Sequence, residues 1–145
     1  MSIRDRQAVD FAPSTGFHFV IHRTPETSYT VQKVSIPGIY LDSPAVTNPF
    51  VNIPKAGEHI VYNELSLLFI VDEQLKNYLE IHNWIRGLGF PETFTEYSGV
   101  AREPGTGVAS DCLLTILDAK KNPKFEVTFR DAVPVSLSDL TFDAT

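Results

Sequence analysis

The sequence predicts a mainly β domain with one α-helix. Three observations predict it. Several short runs alternate apolar and polar residues at period two, the strand signature. Ten prolines and eight glycines are spread along 145 residues, as turns between strands require. One stretch, "DEQLKNYLEIHNWIRGLGFP" (72–91), instead repeats its apolar residues at spacings of three and four, the helical period.

Residues 1–15 are polar, with no apolar signal region, and read as a flexible arm before a single domain over 16–145. In "FHFVIHR" (17–23), Phe17, Phe19 and Ile21 share one face and His18, Val20 and His22 the other, which predicts a strand. "TPETS" then reads as a turn around Pro25, and "YTVQKVSI" (29–36) as a second strand. The next stretch, "PGIYLDSPAVTNPFVNIPKAGE" (37–58), holds Pro37, Pro44, Pro49 and Pro54. Proline donates no ladder hydrogen bond, so this segment is expected at a sheet edge or as an extended arm. Its Ile39, Leu41, Val46, Phe50 and Ile53 are too apolar for free solvent. An apolar arm barred from a central strand needs another surface, so Ile39, Val46, Phe50 and Ile53 are the candidate subunit-interface residues.

"NELSLLFIV" (63–71) places Leu65, Leu67, Phe69 and Val71 on one face and Leu68 and Ile70 on the other. Both faces are apolar, which predicts a central strand. It runs directly into the helix, expected over 72–89. Asp72 is the expected N-cap and Glu73 the first-turn acid. Leu75, Tyr78, Leu79, His82 and Ile85 form the expected buried stripe, widened by Ile81, Trp84 and Leu88. Gly87 or Gly89 ends the helix and Pro91 forbids its return. Residues 92–110 read as a long loop, of the kind that is functional or mobile. "DCLLTIL" (111–117) and "KFEVTFR" (124–130) form a hairpin through "DAKKNP", and one more short strand is expected around Leu140 and Phe142.

With 18 acidic and 12 basic residues the net charge is −6, which argues against a surface that holds nucleic acid. It is compatible with a surface that DNA passes without sticking. No apolar run approaches the roughly 18 residues that span a bilayer, so no membrane partner is expected. His18 and His22 would share a metal on a helix, but four strand residues span roughly 13 Å. His82 is expected as a core histidine. Asp72 and Glu73 are explained by capping, and "GTGVAS" precedes a strand, the wrong context for phosphate binding. Cys112, in an apolar strand, reads as a small buried residue, and Trp84 as core or interface. No catalytic, cofactor-binding or metal-ligating residue is assigned and no cofactor is expected. The chain reads as a structural or binding protein, not an enzyme.

Three motifs carry a resemblance. They are "VSIPGI" after the second strand, the strand–"DE"–helix–"W" unit from Leu65 to Trp84, and "FEVTFRDAVPVSLSDLTFD". In their order, over residues 17–143, the chain resembles the tail tube proteins of contractile-tailed bacteriophages and their relatives at the baseplate–tube junction. The wider group includes the haemolysin-coregulated protein of type VI secretion. The resemblance implies a β-sandwich or half-barrel with the helix packed against it. Six such subunits would form a hexameric ring with a shared inner β-barrel, and rings would stack into a channel for DNA delivery. The implied partners are other copies and neighbouring tail or baseplate proteins. The implied location is the virion tail, assembled in the host cytoplasm. Two features depart from that pattern. The long strand that usually follows the "SLSDLTFD" turn does not follow it here, so either the sequence is shortened or this member lacks that strand. The arm is unusually proline-rich, which suits a specialised tube-like or baseplate member instead of the main tube subunit. The alternative from the residues alone is a small β-barrel binding a hydrophobic ligand or extended peptide, with the arm's apolar residues lining a pocket.

Overall fold

The computed structural model describes residues 13, 15–89, 92–95, 98 and 107–144. These residues form a mixed α/β fold of several small sheets and two helices, with no closed barrel among them. In chain order the elements are β1 (Phe17–Ile21), α1 (Pro25–Thr30), β2 (Val31–Ser35), β3 (Ile39–Leu41), β4 (Ala45–Val46) and β5 (Ile53–Pro54). Then follow β6 (Ile60–Tyr62), β7 (Ser66–Phe69), α2 (Lys76–Gly89), β8 (Ser110–Leu117) and β9 (Pro123–Ala132). The chain divides into two compact units: Met1–Val31 with Ile70–Thr145, and Gln32–Phe69.

The first unit is built on a three-stranded sheet in the order β1-β8-β9. The β8–β9 hairpin forms where the alternating pattern placed it. Asp118 closes its turn: the carboxylate accepts from Lys120 N at 2.8 Å and Asn122 N at 2.9 Å. Those donors hold the exposed Asp118 carboxyl below its ordinary range, the Asn122 amide foremost. Antiparallel register sets Phe19 opposite Leu114 and Ile21 opposite Cys112. These four side chains and, from α2, Ile81 and Trp84 are the buried apolar core. Burial pushes the Cys112 thiol up to about 11, with the neighbouring Asp111 charge adding to it. The cysteine is therefore the inert packed residue that its apolar strand predicted.

A second helix is the main departure from the expected fold. The segment read as a turn around Pro25 is α1, and Tyr29 and Thr30, read as strand, belong to it. Pro25 stands at its start and Glu26 in its first turn. Both suit a helix N-terminus, where proline loses no hydrogen bond and an acid meets the positive end of the dipole. Thr24 precedes the helix, yet its side chain makes no cap, and its hydroxyl is buried without a partner. A valine of the same shape removes that desolvated group. Thr24→Val is expected to raise unfolding stability by about 1 kcal/mol, measured by urea denaturation; a loss of similar size would contradict the assignment.

In α2 the 3.6-residue period holds, but the buried face is rotated from the expected stripe. Asn77, Ile81, Trp84 and Gly87 are buried, while Leu79 and His82 are exposed. His82 is thus not a core histidine; it stacks on Tyr78 at 6.3 Å between ring centroids. The physical reason is polar. Asn77, only 1% exposed, donates to Ile70 O at 2.6 Å and Thr30 Oγ1 at 2.9 Å. Its Oδ1 accepts from Asp72 N at 3.1 Å and Tyr78 N at 2.8 Å. α1 packs on this face, where the buried Thr27 hydroxyl donates to Asn77 O at 3.2 Å. An apolar count cannot find a face centred on a satisfied asparagine.

The same network corrects the helix start. Asp72 is not the N-cap. Its carbonyl accepts from Leu75 N at 2.9 Å, Leu75 takes φ 57°, and the helix begins at Lys76. The C-terminal end at Gly89 agrees with expectation. Trp84 is core: its indole N–H donates to Val108 O at 3.0 Å. The Arg23 guanidinium lies 5.2 Å from its ring centroid while donating to Gly107 O at 2.9 Å.

Glu80 faces α1, with Oε2 accepting from Thr27 N at 3.4 Å. Desolvation raises its pKa above the ordinary glutamate value, the Thr27 hydrogen bonds opposing and the nearby Glu26 charge adding. The shift favours the protonated form in the folded state, so its contribution is full below the unfolded pKa and is lost as pH rises through the folded one.

The strand expected around Leu140 and Phe142 does not form; residues 133–144 carry no regular structure. The expected N-terminal arm, apart from residues 13 and 15, lies outside the described residues, as do 96, 97 and 99–106 of the expected 92–110 loop.

Candidate assembly interface

The second unit, Gln32–Phe69, consists of paired strands nested about one turn. β2 pairs with β7, β3 with β6 and β4 with β5, each as a two-stranded sheet. The sequence explains the nesting. Short β-branched and aromatic runs (Ile39–Leu41, Ala45–Val46, Ile60–Tyr62) are separated by Pro37, Pro44 and Pro49, which interrupt one long ladder into short ones. Backbone bonds bridge the gaps: Asn63 N to Gly38 O at 2.9 Å, Asp42 N to His59 O at 2.9 Å and Lys55 N to Pro44 O at 3.1 Å. Ser43 adds its hydroxyl to Lys55 O at 2.8 Å. Gly57 is needed where it stands, because a Cβ there would overlap the Asp42 carbonyl. The result is a ribbon two strands wide from the base to the turn between β4 and β5.

Register then fixes the faces. Directly opposite residues of an antiparallel pair share a face. Ile39 lies opposite Tyr62 and Leu41 opposite Ile60, so these four form one face. Tyr40 opposite Val61 forms the other. Val46 lies opposite Ile53 nearer the turn. All of these side chains are exposed. The four candidate residues stand at 59% for Ile39, 43% for Val46, 91% for Phe50 and 51% for Ile53. Phe50 sits in the turn itself.

The candidate residues are therefore brought together on one ribbon and left in solvent, with apolar side chains on both faces. A pocket-lining role would hide these side chains; here they are open on a two-stranded ribbon. Sequence reasoning missed the returning strand. "IVY" at 60–62 is β-branched and aromatic, a usable signal hidden by its shortness, and Tyr40, Ile60, Val61 and Tyr62 belong to the same surface. β7 was expected to be central with both faces covered. Its period is right, with Leu67 and Phe69 half-buried, but Leu68 and Ile70 are exposed and β7 has one partner strand among the described residues.

No group of three or more His, Cys, Asp or Glu side chains that could hold a metal occurs among the described residues. His18, His22, His59 and His82 are exposed. No helix among these residues is long and apolar enough to cross a membrane. No protein-family model matches the chain, and no curated protein matches it.

Proposed function

We propose that the protein is a structural subunit of a bacteriophage tail tube or of its baseplate end, working as stacked hexameric rings around a DNA-delivery channel. The observation that carries this reading is the ribbon with apolar side chains exposed on both faces. Each large apolar side chain left in water forgoes roughly 1.5–3 kcal/mol of burial. Within its own unit and among the described residues the two-stranded ribbon has no second layer, and an isolated hairpin is marginal in water. A repeating assembly covers both faces by placing each ribbon between neighbouring copies. The order of the "VSIPGI", strand–helix–"W" and "FEVTFRDAVPVSLSDLTFD" motifs supports a tube subunit over other assemblies. In that setting the three-stranded sheets of six copies join into the inner barrel, and α1 and α2 close the sheet's other side. The net charge of −6 suits a lumen through which DNA passes without specific binding. The partners are other copies and adjoining tail or baseplate proteins. The role needs neither a cofactor nor catalysis, and its place is the virion tail.

Negative-stain imaging of the purified protein at high concentration tests this. Rings, or tubes of stacked rings, are expected; monodisperse single subunits would overturn it.

A further inference from the structure

We infer that residues 133–142 act as a donor strand, pairing with the open edge of β7 in a neighbouring copy. This rests on the assembly reading above and adds which segments meet.

The donor is a strand-patterned segment without a ladder. β9 pairs with β8 until Ala132 meets Ser110, the first residue of β8. Beyond that point β8 has nothing left to offer Val133. The departure is built in. The register shifts between Ser110 and Cys112, Asp131 takes φ 54°, and its N–H donates to the Asp111 carboxylate at 3.0 Å. A bulge of this kind ends pairing and re-aims the chain. From 133 to 144 the chain makes no turn or bend. Its Val133, Val135 and Leu137 alternate, and Val133, Val135 and Phe142 are exposed at 48%, 68% and 80%.

The acceptor is an edge left unpaired among the described residues. β7 pairs only with β2 among the described residues. Native edges are guarded by charge, proline or a cover. On the β2 side of the ribbon the guards are Lys33, Pro37 and Pro44. On the other side, no proline occurs between Pro54 and Pro91, and no charged residue between Glu64 and Asp72. Residues 65–71 therefore offer a proline-free, uncharged edge whose Leu68 and Ile70 are exposed. A strand added there gains main-chain hydrogen bonds and lays its apolar side chains beside those two. Donor and acceptor occur once per chain, so every subunit both gives and receives, and the contact runs head to tail as a ring requires.

Hydrogen exchange on the full chain, free at low concentration and assembled, tests this, with a chain ending at Ala132 alongside. On assembly, amides of 135–142 and of 66–69 are expected to slow together by about tenfold or more. The shortened chain should show no such slowing at 66–69. If rings form while 135–142 exchanges as fast as in the free chain, the donor-strand inference is wrong and the assembly reading stands. Slow exchange of both segments already in the free chain would overturn pairing between copies. If no assembly forms, the assembly reading fails and this inference with it.

Discussion

Replacing Asn77 with alanine is expected to lower the stability of the sheet-and-helix unit by about 3 kcal/mol, because each buried group left unpaired costs roughly 1–3 kcal/mol. The substitution strips partners from Ile70 O, Thr30 Oγ1, Asp72 N and Tyr78 N at once. The amide also holds the left-handed approach at Leu75 to the first turn of α2, so helix onset should fray with it. Urea denaturation followed by Trp84 fluorescence reads the loss directly, since Trp84 is buried in the same unit. A loss below about 1 kcal/mol would mean that water replaces these bonds and that the network is not central.

How far the sequence was legible follows from the same residues. The β8–β9 hairpin and β1 were readable because one face of each is apolar and period two is strict, so Phe19, Ile21, Cys112 and Leu114 declare themselves. The existence and C-terminal end of α2 were readable from spacing and Gly89. Its orientation was not, because Asn77 and Thr27 are buried through hydrogen bonds and Gly87 through small size, none of which scores as apolar. α1 was hidden by Pro25, which breaks a helix interior but favours its first position. In the ribbon the prolines correctly announced an arm and its apolar side chains an uncovered surface. The pairing partners could not be read, since two-residue strands such as β4 and β5 carry almost no period. The final strand was expected around Leu140 and Phe142, yet a short apolar segment becomes a strand only where an edge receives it.

Phe50→Ala is expected to leave the fold unchanged and to cripple assembly. Phe50 is 91% exposed in the turn of the ribbon, so its truncation should alter unfolding stability by less than about 0.5 kcal/mol. If Phe50 seats in a neighbouring copy as proposed, its truncation should cost assembly about 2 kcal/mol, roughly a 30-fold rise in the concentration at which rings form. Sedimentation across a concentration series measures that shift, and denaturation of the same sample supplies the stability. Ile39, Val46 and Ile53 lie along the ribbon below Phe50, and their alanine variants should act in the same direction with smaller shifts. A Phe50→Ala protein that unfolds easily while assembling normally would place this residue in the core of its own unit instead.

In the proposed assembly, other copies cover both apolar faces of the ribbon. Hydroxyl-radical footprinting of the free and assembled protein reads this face by face, because Tyr40 lies on one face, Tyr62 on the other and Phe50 in the turn. All three are expected to lose most of their reactivity when rings form, while His82, exposed on α2, serves as an internal comparison. Rings in which Tyr40, Phe50 and Tyr62 react as fast as in the free subunit would contradict it.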